Sequence, residues 1–490
     1  MPPPSISLLR SGSTAALEAM ATFFPTAKSD PELAAFRPAL EFGFFNALTW
    51  QIAIGTPMVL FAGQLGASAF EVGLAYSFVF LLTPLQIVAT TLLPRYGFKR
   101  VALGGWGVRS LFLIIPIALA AMAPAVAPRW MVWVLIGSVF WFCLFRSVGA
   151  SAMTTWFMGF LPAGVRGRYF AHDQFFSGIA GVATLITCAT LFLVLPMYQA
   201  LLIQYVVALI GSTLAYYSLR RLPDIDKPPR LSLAAVLGSA VRHAVKPSVF
   251  RSYLWLAVWY AAITTSIPPF AAYFLKVTAG LSAAEIMFFE VLRYGGVVLG
   301  AWLIARRIDH TGARPFFLLS LVLVVIVAIA WLIFLRFGFG GTPMLLFIYA
   351  GVGLAAVCWA VANLNFLPKI VPAEDRALFV ALHGAATACL GGLSPILLGT
   401  FLKSTSPAGE PMIDVEVFEI FFVCAIVSAC ILSALMARLP EDTKASPHPL
   451  VIGNAILRPF RAASYLANLV DWPMENKSSA DTPRDNPEHK

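Results

Sequence analysis

The chain has 490 residues, of which 59% are hydrophobic and only 12% are charged, and its net charge is +10. A soluble protein of this size could not bury so much apolar surface, so the composition excludes a soluble enzyme or binding domain and predicts an integral membrane protein. In a soluble chain the positive charge would suggest nucleic-acid binding, but the distribution of the basic residues indicates membrane topology instead.

Twelve apolar segments, numbered 1 to 12, predict twelve transmembrane helices, because each is long enough to cross a hydrocarbon core of about 30 Å. The short alternating strands typical of a membrane barrel do not occur in the sequence. Residues 1–35 lack the pattern of a cleavable signal peptide, so we expect segment 1 to be retained. The segments occupy residues 38–62, 69–93, 101–125, 130–160, 169–195, 198–219, 252–275, 283–305, 315–335, 343–367, 377–402 and 416–437.

Lysine and arginine concentrate in alternate loops. Seventeen of them lie in the loops that follow segments 2, 4, 6, 8 and 10, whereas the loops that follow the odd-numbered segments hold four. Short loops rich in lysine and arginine stay on the cytoplasmic side of a membrane. We therefore expect a multi-pass protein of the cell (inner) membrane with both termini in the cytoplasm.

Three short motifs recur in the same order along the chain, each shifted by 210 to 215 residues. They are Gly66-Ala-Ser-Ala-Phe-Glu-Val with Gly280-Leu-Ser-Ala-Ala-Glu-Ile, Arg95-Tyr-Gly-Phe-Lys-Arg with His310-Thr-Gly-Ala-Arg-Pro, and Leu161-Pro-Ala-Gly-Val-Arg with Val371-Pro-Ala-Glu-Asp-Arg. The repeat predicts two six-helix bundles, 36–221 and 251–440. A linker at 222–250 with an amphipathic helix joins them, and residues 1–35 and 441–490 are expected to be cytoplasmic flanks.

Residues 36–440 resemble the major facilitator superfamily of secondary transporters, in its bacterial type. That family carries a signature, G-x-L-A-D-R-x-G-R-R, in the loop after helix 2 and a weaker copy after helix 8. The second copy here includes Asp309 and Arg314, whereas the first has Pro94 in place of the acid. The signature positions kept in the first copy are Arg95, Gly97, Lys99 and Arg100. The resemblance implies an all-α membrane fold of twelve helices in two pseudo-symmetric halves with the substrate site between them.

Two S-x-x-E sequences begin apolar segments, one at Ser68 and Glu71 and the other at Ser282 and Glu285. Both fit the capping box, in which the serine side chain accepts from the third helical N–H and the glutamate accepts from the serine N–H. We therefore expect these two glutamates to cap helices rather than to carry protons.

Polar side chains inside the predicted helices are candidate functional residues, because burying a charge in a bilayer is costly. The resemblance implies that segments 1, 4, 7 and 10 line a central cavity. Arg146, near the middle of segment 4, is the main candidate, since arginine keeps its charge and must find a partner or water. The alternative is that Arg146 holds backbone carbonyl groups of a neighbouring helix. The predicted substrate-binding residues are Arg146, Glu41, Asn46, Trp50, Gln51, Tyr260 and Asn363.

Glu290 and Arg293 lie three residues apart in segment 8, on one helix face. With Glu41 they are candidates for ion coupling, because coupling to protons requires a buried carboxylate. The alternative is a self-neutralised pair that packs segment 8 against its neighbours. Arg109 lies in a segment that the resemblance places towards lipid, and the sequence assigns it no role.

Pro268 and Pro269 predict a bend in segment 7, because they interrupt the hydrogen bonds of the helix. The carbonyl groups that they leave free must find other partners or water. We interpret this bend as a candidate gating point of the second bundle.

The cytoplasmic loops predict two latches between the bundles. Segment 5 begins with two arginines, which make the N-terminus of its helix more positive and require an acid from elsewhere, whereas segment 11 begins with two acids. The resemblance places the loop after segment 8 near segment 5, and the loop after segment 2 near segment 11. The first latch comprises Arg166, Arg168, Asp309 and Arg314, and the second comprises Glu374, Asp375, Arg95, Lys99 and Arg100.

The sequence contains no nucleotide-binding loop, nucleophile elbow or zinc-ligand spacing, so we expect no enzyme activity, catalytic residue, metal or cofactor. It predicts a secondary transporter of a small organic solute that works by alternating access and is coupled to protons, with a sugar or similar polar molecule favoured. The alternatives are an exporter of drugs or other lipophilic compounds, and a transport-inactive sensor on the same fold. The expected partners are the solute, protons and the lipid bilayer, not nucleic acid, and we expect a monomer.

Overall fold

The structure is a computed structural model of the chain. It describes residues 34–122, 127–227, 248–305, 311–337, 341–371, 376–405 and 413–439, together with residues 238 and 242. Every regular element within these residues is a helix, and each of the twelve predicted segments is helical there. The predicted all-α architecture is therefore confirmed.

Segments 1 to 6 form the first half. Segment 1 consists of two helices, Arg37–Ala53 and Thr56–Gln64. Segment 2 begins with Ala69–Leu81 and continues through Leu85–Ala89, a 3-10 turn at Thr90–Leu92, and Leu93–Tyr96. The helices of segments 3 to 6 are Phe98–Leu111 with Ile114–Met122, then Arg129–Phe160, Ala163–Val194 and Met197–Arg220.

Segments 7 to 12 form the second half. Segment 7 consists of two helices, Val249–Thr264 and Ile267–Val277. The helices of segments 8 to 12 are Ala283–Ala305, Arg314–Phe337, Gly341–Ile370, Arg376–Thr405 and Val415–Met436. Ten spans among the described residues are long and apolar enough to cross a membrane. The pair Ala69–Leu81 and Leu85–Tyr96, bent by 42°, makes an eleventh if it is one span.

Both predicted capping boxes are confirmed. Ser68 N–H donates to Glu71 Oε2 at 2.7 Å, and the Ser68 hydroxyl accepts from the Glu71 N–H at 3.4 Å. Ser282 N–H donates to Glu285 Oε2 at 2.9 Å in the corresponding position of the second half. Arg129, at the start of segment 4, also pairs with Glu71 at 2.8 Å. These glutamates therefore fix helix starts at the loop ends of the bundle.

The predicted interruption of the segment 7 helix is confirmed. The first helix of the segment ends before Pro268 and Pro269, which cannot donate backbone hydrogen bonds. At the break itself, the carbonyl oxygen of Ala262, in the last turn of the first helix, accepts from the hydroxyl of Ser394 in segment 11. The same hydroxyl lies 2.7 Å from that of Ser266. A neighbouring helix thus satisfies a backbone group that the break releases, as burial in a membrane requires.

The two halves meet along two seams, between segments 2 and 11 and between segments 5 and 8. Glycines bring the backbones of the first seam together: a Cβ atom at Gly73 would lie 2.3 Å from the carbonyl oxygen of Pro395. Near one end of this seam, the Tyr273 hydroxyl donates to the carbonyl of Ala67 at 2.8 Å. The halves are therefore in contact at the end that carries the loops after the odd-numbered segments, called the odd-loop end below.

The start of the linker packs onto the first half at the opposite, basic end. Lys99 Nζ donates to the carbonyl oxygen of Leu222 at 2.6 Å, and the Trp156 indole N–H donates to that of Pro223 at 2.9 Å. These two hydrogen bonds fix the chain that follows segment 6 against the basic ends of segments 3 and 4.

Several predicted features lie outside the described residues. They include the amphipathic helix of the linker, of which only residues 238 and 242 are described, and the flanking residues 1–33 and 441–490. The three acids of the predicted latches, Asp309, Glu374 and Asp375, also lie outside the described part. The domain boundaries at 36–221, 222–250 and 251–440 stay a prediction.

The close approach at Gly73 yields a test of the first seam. In Gly73→Ala the new methyl group would meet the Pro395 carbonyl, and overpacking of this kind costs about 1–3 kcal/mol. We expect a lower unfolding temperature of the purified protein in detergent, measured by intrinsic fluorescence. The matched control is Gly137→Ala, because a Cβ atom there has no neighbour within 4 Å. Equal unfolding temperatures for the two variants would contradict the seam.

Candidate substrate and coupling sites

Arg146 lies near the middle of the Arg129–Phe160 helix and connects three segments of the first half. Its Nη2 atom donates to the carbonyl oxygen of Val79 in segment 2 at 3.0 Å. The centre of its guanidinium lies 4.9 Å from the ring centroid of Trp50 in segment 1, a cation–π distance. Its Nε atom is buried and has no hydrogen-bond partner among the described residues. The side chain therefore contacts both a backbone carbonyl and a predicted cavity residue.

Arg109 is buried, although its segment was expected to face lipid. Only 1% of the residue is exposed. Its Nη2 atom donates to Asn46 Oδ1 at 2.6 Å, and the same oxygen accepts from the Trp106 indole at 3.2 Å. The guanidinium also lies over the rings of Trp106 and Phe142, at 4.8 and 5.0 Å. Segment 3 thus turns its charged face towards segment 1, and this is a correction to the sequence-based placement.

Arg109 and Arg146 contact neighbouring positions of segment 1, Asn46 and Trp50, one helical turn apart. The ion pairs between described residues involve Glu41, Glu71, Glu290 and Glu419, and none of them includes either of these arginines. Their described partners are an amide, a carbonyl and aromatic rings, all of them uncharged. The first half therefore holds two interior cations without a described counter-ion.

Glu41 lies apart from Arg146, near the basic end of the first half. Its carboxylate accepts from Arg37 Nε at 2.8 Å and is also paired with Arg221 at the end of segment 6. These contacts connect segments 1 and 6 within one half. The structure therefore gives Glu41 a local ion-pair network and does not bring it together with the other predicted substrate residues.

Gln51 lies where the halves meet. A Cβ atom on Gly181 of segment 5 would be 3.2 Å from Gln51 Nε2 and 3.5 Å from the ring of Tyr294 in segment 8. The absence of a side chain at Gly181 leaves space in which these two residues approach each other. Gln51 thus lies at the second seam, and its role in substrate binding stays a prediction.

Glu290 and Arg293 form the predicted pair, with Arg293 Nε donating to Glu290 Oε2 at 2.6 Å. Glu290 is 1% exposed, and its other oxygen, Oε1, has no hydrogen-bond partner among the described residues. Arg293 lines a small cavity with Pro268, at the break of segment 7. Glu290 is therefore buried, and Arg293 is partly buried, beside the break in segment 7 and on a helix that packs on segment 5 of the first half.

Tyr260 and Asn363 belong to packed clusters within the second half. The Tyr260 ring stacks on Trp359 with 3.6 Å between centroids, and both side chains are buried. Asn363 Oδ1 accepts from the Tyr253 hydroxyl at 2.5 Å. His383 stacks on Tyr253 at 5.6 Å, and its buried Nε2 has no hydrogen-bond partner among the described residues.

His383 is a polar residue that the sequence interpretation missed. It is a histidine inside apolar segment 11, which was the only available signal. The contacts of the Tyr253, Asn363 and His383 cluster connect segments 7, 10 and 11 near the basic end.

The latch predictions are only partly within the described structure. Lys99 is bound to the end of segment 6, and the Arg95 guanidinium lies 5.3 Å from the Tyr96 ring centroid. Arg100 is exposed, and Arg314 begins the helix of segment 9. The side chains of Arg166 and Arg168 and the residues Asp309, Glu374 and Asp375 lie outside the described part. Both latches stay predictions.

No family model and no curated protein sequence matches this chain. Its fold is nevertheless similar to that of solved transporters. The nucleoside transporter NupG is 16% identical, with a TM-score of 0.57, over 81% of this chain and 97% of that one. A D-xylose-proton symporter is 14% identical, with a TM-score of 0.58, over 84% and 97%.

A bacterial homologue of the iron transporter ferroportin, in an inward-facing state, is also similar in fold. It is 14% identical, with a TM-score of 0.60, over 83% of this chain and 98% of that one. At these identities the similarity establishes the fold. The chain therefore has the fold of these transporters, with its twelve helical segments in two halves, and the predicted fold class is confirmed.

The contact between Asn46 and Arg109 can be tested by a double-mutant cycle. Asn46→Ala removes an acceptor from a buried cation, and a hydrogen bond to a charged group contributes about 1.5–3 kcal/mol. We expect the destabilisation to be smaller in an Arg109→Met background, because the cation is then gone. Unfolding of the four proteins in detergent gives the coupling energy. Additive effects would show that the two residues do not interact.

Proposed function

We propose that this protein is a secondary transporter that moves a small polar organic solute across a membrane by alternating access. The observation that carries the proposal is the presence of interior charges in both halves of a two-bundle fold, with those of the second half on segment 8, which packs on segment 5 of the first. Arg146 lies mid-helix in the first half, and the Glu290–Arg293 pair lies at the seam of the second. Charged residues inside membrane segments usually mark solute or ion pathways.

The proposed substrate contact is Arg146 on the ring of Trp50. A guanidinium presents a planar set of donors that suits carboxylate, phosphate or hydroxyl oxygens. The aromatic ring beneath it holds its orientation. Gln51, at the seam with segment 8, supplies an amide that suits a polar solute such as a sugar. Among the structures with this fold are those of a nucleoside transporter and a D-xylose-proton symporter.

The proposed coupling group is Glu290. Its Oε1 atom is buried without a described partner, so it is the oxygen on which a proton would be taken up. Protonation would weaken the ion pair to Arg293, which lies beside the segment 7 break at Pro268. A change in that ion pair would therefore act at a point where the second half can bend. This links an ion gradient to movement without nucleotide hydrolysis.

In this proposal the protein is a monomer of the cell (inner) membrane, with both termini in the cytoplasm. The basic excess in the loops after the even-numbered segments supports this orientation. The contacts at the odd-loop end would then close the outer side of the membrane, as expected for an inward-facing arrangement.

Coupling is tested by uptake into proteoliposomes with and without an inward proton gradient. The probes are labelled D-xylose, uridine and gluconate. We expect at least one probe to accumulate in response to the gradient. In Glu290→Gln the accumulation should fall at least tenfold, whereas exchange at equal pH should persist, because glutamine keeps the shape but cannot release a proton.

Glu285→Gln is the matched control on the same helix. Glutamine also serves in a capping box, so this variant should keep gradient-driven uptake. Size-exclusion chromatography checks that each variant is folded. Full accumulation by Glu290→Gln would refute the coupling role, and no uptake of any probe above empty liposomes would count against transport itself.

A further inference from the structure

The distribution of charge inside the first half points to the kind of solute. We infer that the transported solute is an anion whose negative group binds at Arg146, with Arg109 as a positioning residue behind it. This inference rests on the proposed transport function and specifies the substrate class of the same site.

The two halves differ in how their interior charges are balanced. In the second half, Arg293 is neutralised by Glu290 three residues away. In the first half, the described ion pairs leave Arg109 and Arg146 without a carboxylate. Two guanidinium groups keep their charge at any physiological pH. Positive charge therefore exceeds negative charge around these two residues.

Asp173 of segment 5 is the one acid of segments 1 to 6 that takes part in no described ion pair, and its position argues against a compensating role. Its Oδ1 atom lies against Gly43 of segment 1, where a Cβ atom would be 2.1 Å away. Gly43 precedes Trp50 by seven residues, about 10 Å along the helix axis, so Asp173 meets segment 1 two turns away from the contact of Arg146 with Trp50. No described ion pair joins Asp173 to Arg109 or Arg146. The excess positive charge thus remains.

Both arginines act on one face of segment 1. Asn46 and Trp50 are four residues apart, so their side chains are neighbours on the helix surface. Arg109 donates a hydrogen bond to Asn46, and the guanidinium of Arg146 lies over the Trp50 ring. Arg109 is fully buried, whereas Arg146 is partly exposed. Arg146 is therefore the residue that a solute can reach, and Arg109 fixes the adjoining surface and adds to its positive potential.

The geometry of Arg146 suits an oxyanion. The Val79 carbonyl accepts from its Nη2 atom, and the Trp50 ring lies against the plane of the guanidinium. The buried Nε atom has no described hydrogen-bond partner. A carboxylate or phosphate can accept two parallel hydrogen bonds from such a fork. A neutral polyol would leave the excess charge uncompensated in a medium where water is scarce. A small organic anion is therefore the solute that the charge distribution favours.

The test compares anions with neutral molecules of the same skeleton. The purified full-length protein in detergent is unfolded by heat with gluconate or sorbitol, with glycerol 3-phosphate or glycerol, and with succinate or succinamide, at constant ionic strength. A ligand that binds only the folded state raises the unfolding temperature. We expect at least one anion to raise it by several degrees, and its neutral counterpart to leave it unchanged.

Single substitutions test whether the stabilising anion binds at Arg146 and whether Arg109 contributes to its binding. Arg146→Gln should weaken binding of the stabilising anion at least tenfold, and Arg146→Lys should recover part of the loss because the charge is kept. Arg109→Gln should weaken it less, with Arg109→Lys again partly restoring it, which a purely packing role would not produce. Arg336→Gln, which removes an equal charge from a side chain that is 64% exposed, should bind normally.

Three results would overturn the inference. They are stabilisation by no anion, equal stabilisation by the neutral counterparts, and anion binding that Arg146→Gln does not change. Stabilisation only by phosphatidylglycerol would assign the site to a lipid headgroup and would likewise contradict a soluble anion. If Arg146→Gln takes up a neutral probe as well as the unchanged protein does, the solute is not an anion bound at Arg146, although the protein is still a transporter. If no probe is taken up at all, the result counts against the transport function.

Discussion

An arginine inside a membrane helix keeps its charge. The packing of the first half depends on the hydrogen bonds and aromatic contacts that two such arginines, Arg109 and Arg146, make with neighbouring helices. Arg109 is enclosed by Trp106 and Phe142 and bound to Asn46, so segment 3 must turn towards segment 1. Arg146 is bound to the Val79 carbonyl and to the Trp50 ring, so segment 4 is connected to segments 1 and 2. Hydrogen bonds and aromatic faces thus fix four helices around two cations. The cost of leaving either cation unpartnered in hydrocarbon makes this arrangement specific.

The second half satisfies the same constraint with local contacts. Its interior arginine pairs with Glu290 on the preceding turn of the same helix. The broken backbone of segment 7 is satisfied by Ser394 of segment 11. The two halves therefore differ in how their interior charges are balanced although they share a topology: Arg109 and Arg146 of the first half have no described counter-ion, whereas the second half contains a neutral pair beside the break in segment 7. This asymmetry is what a transporter needs if one half binds the solute and the other responds to an ion.

Features that depend on neighbouring residues in the sequence could be predicted. The twelve segments follow from runs of apolar residues, the capping boxes from Ser68 with Glu71 and Ser282 with Glu285, and the bend from Pro268 and Pro269. Contacts between distant segments could not be predicted. Glu41 is paired with Arg221, 180 residues away. No periodicity in segments 1 and 6 indicates that partner, since it depends on how two helices are rotated against each other.

The same limit explains Arg109 and His383. Hydropathy identifies the helix that contains each residue, but the side chain's partner depends on which face the bundle covers. The resemblance to a transporter family assigned segment 3 to lipid as a whole, whereas the structure divides that segment into a lipid face and an inward face that carries Arg109. The candidate site therefore has to be assigned from individual side chains and not from whole helices.

The central claim is that the two halves move against each other about this interior. Distances between spin labels, measured by double electron–electron resonance in a cysteine-free background, test it most directly. One pair replaces the exposed residues Gln64 and Ser404 at the odd-loop end, and the other replaces Tyr96 and Ser252 at the basic end. Alternating access predicts two distance populations for each pair, with one end widening as the other narrows when pH or solute is changed. A single distribution at both ends that neither pH nor solute alters would contradict the account.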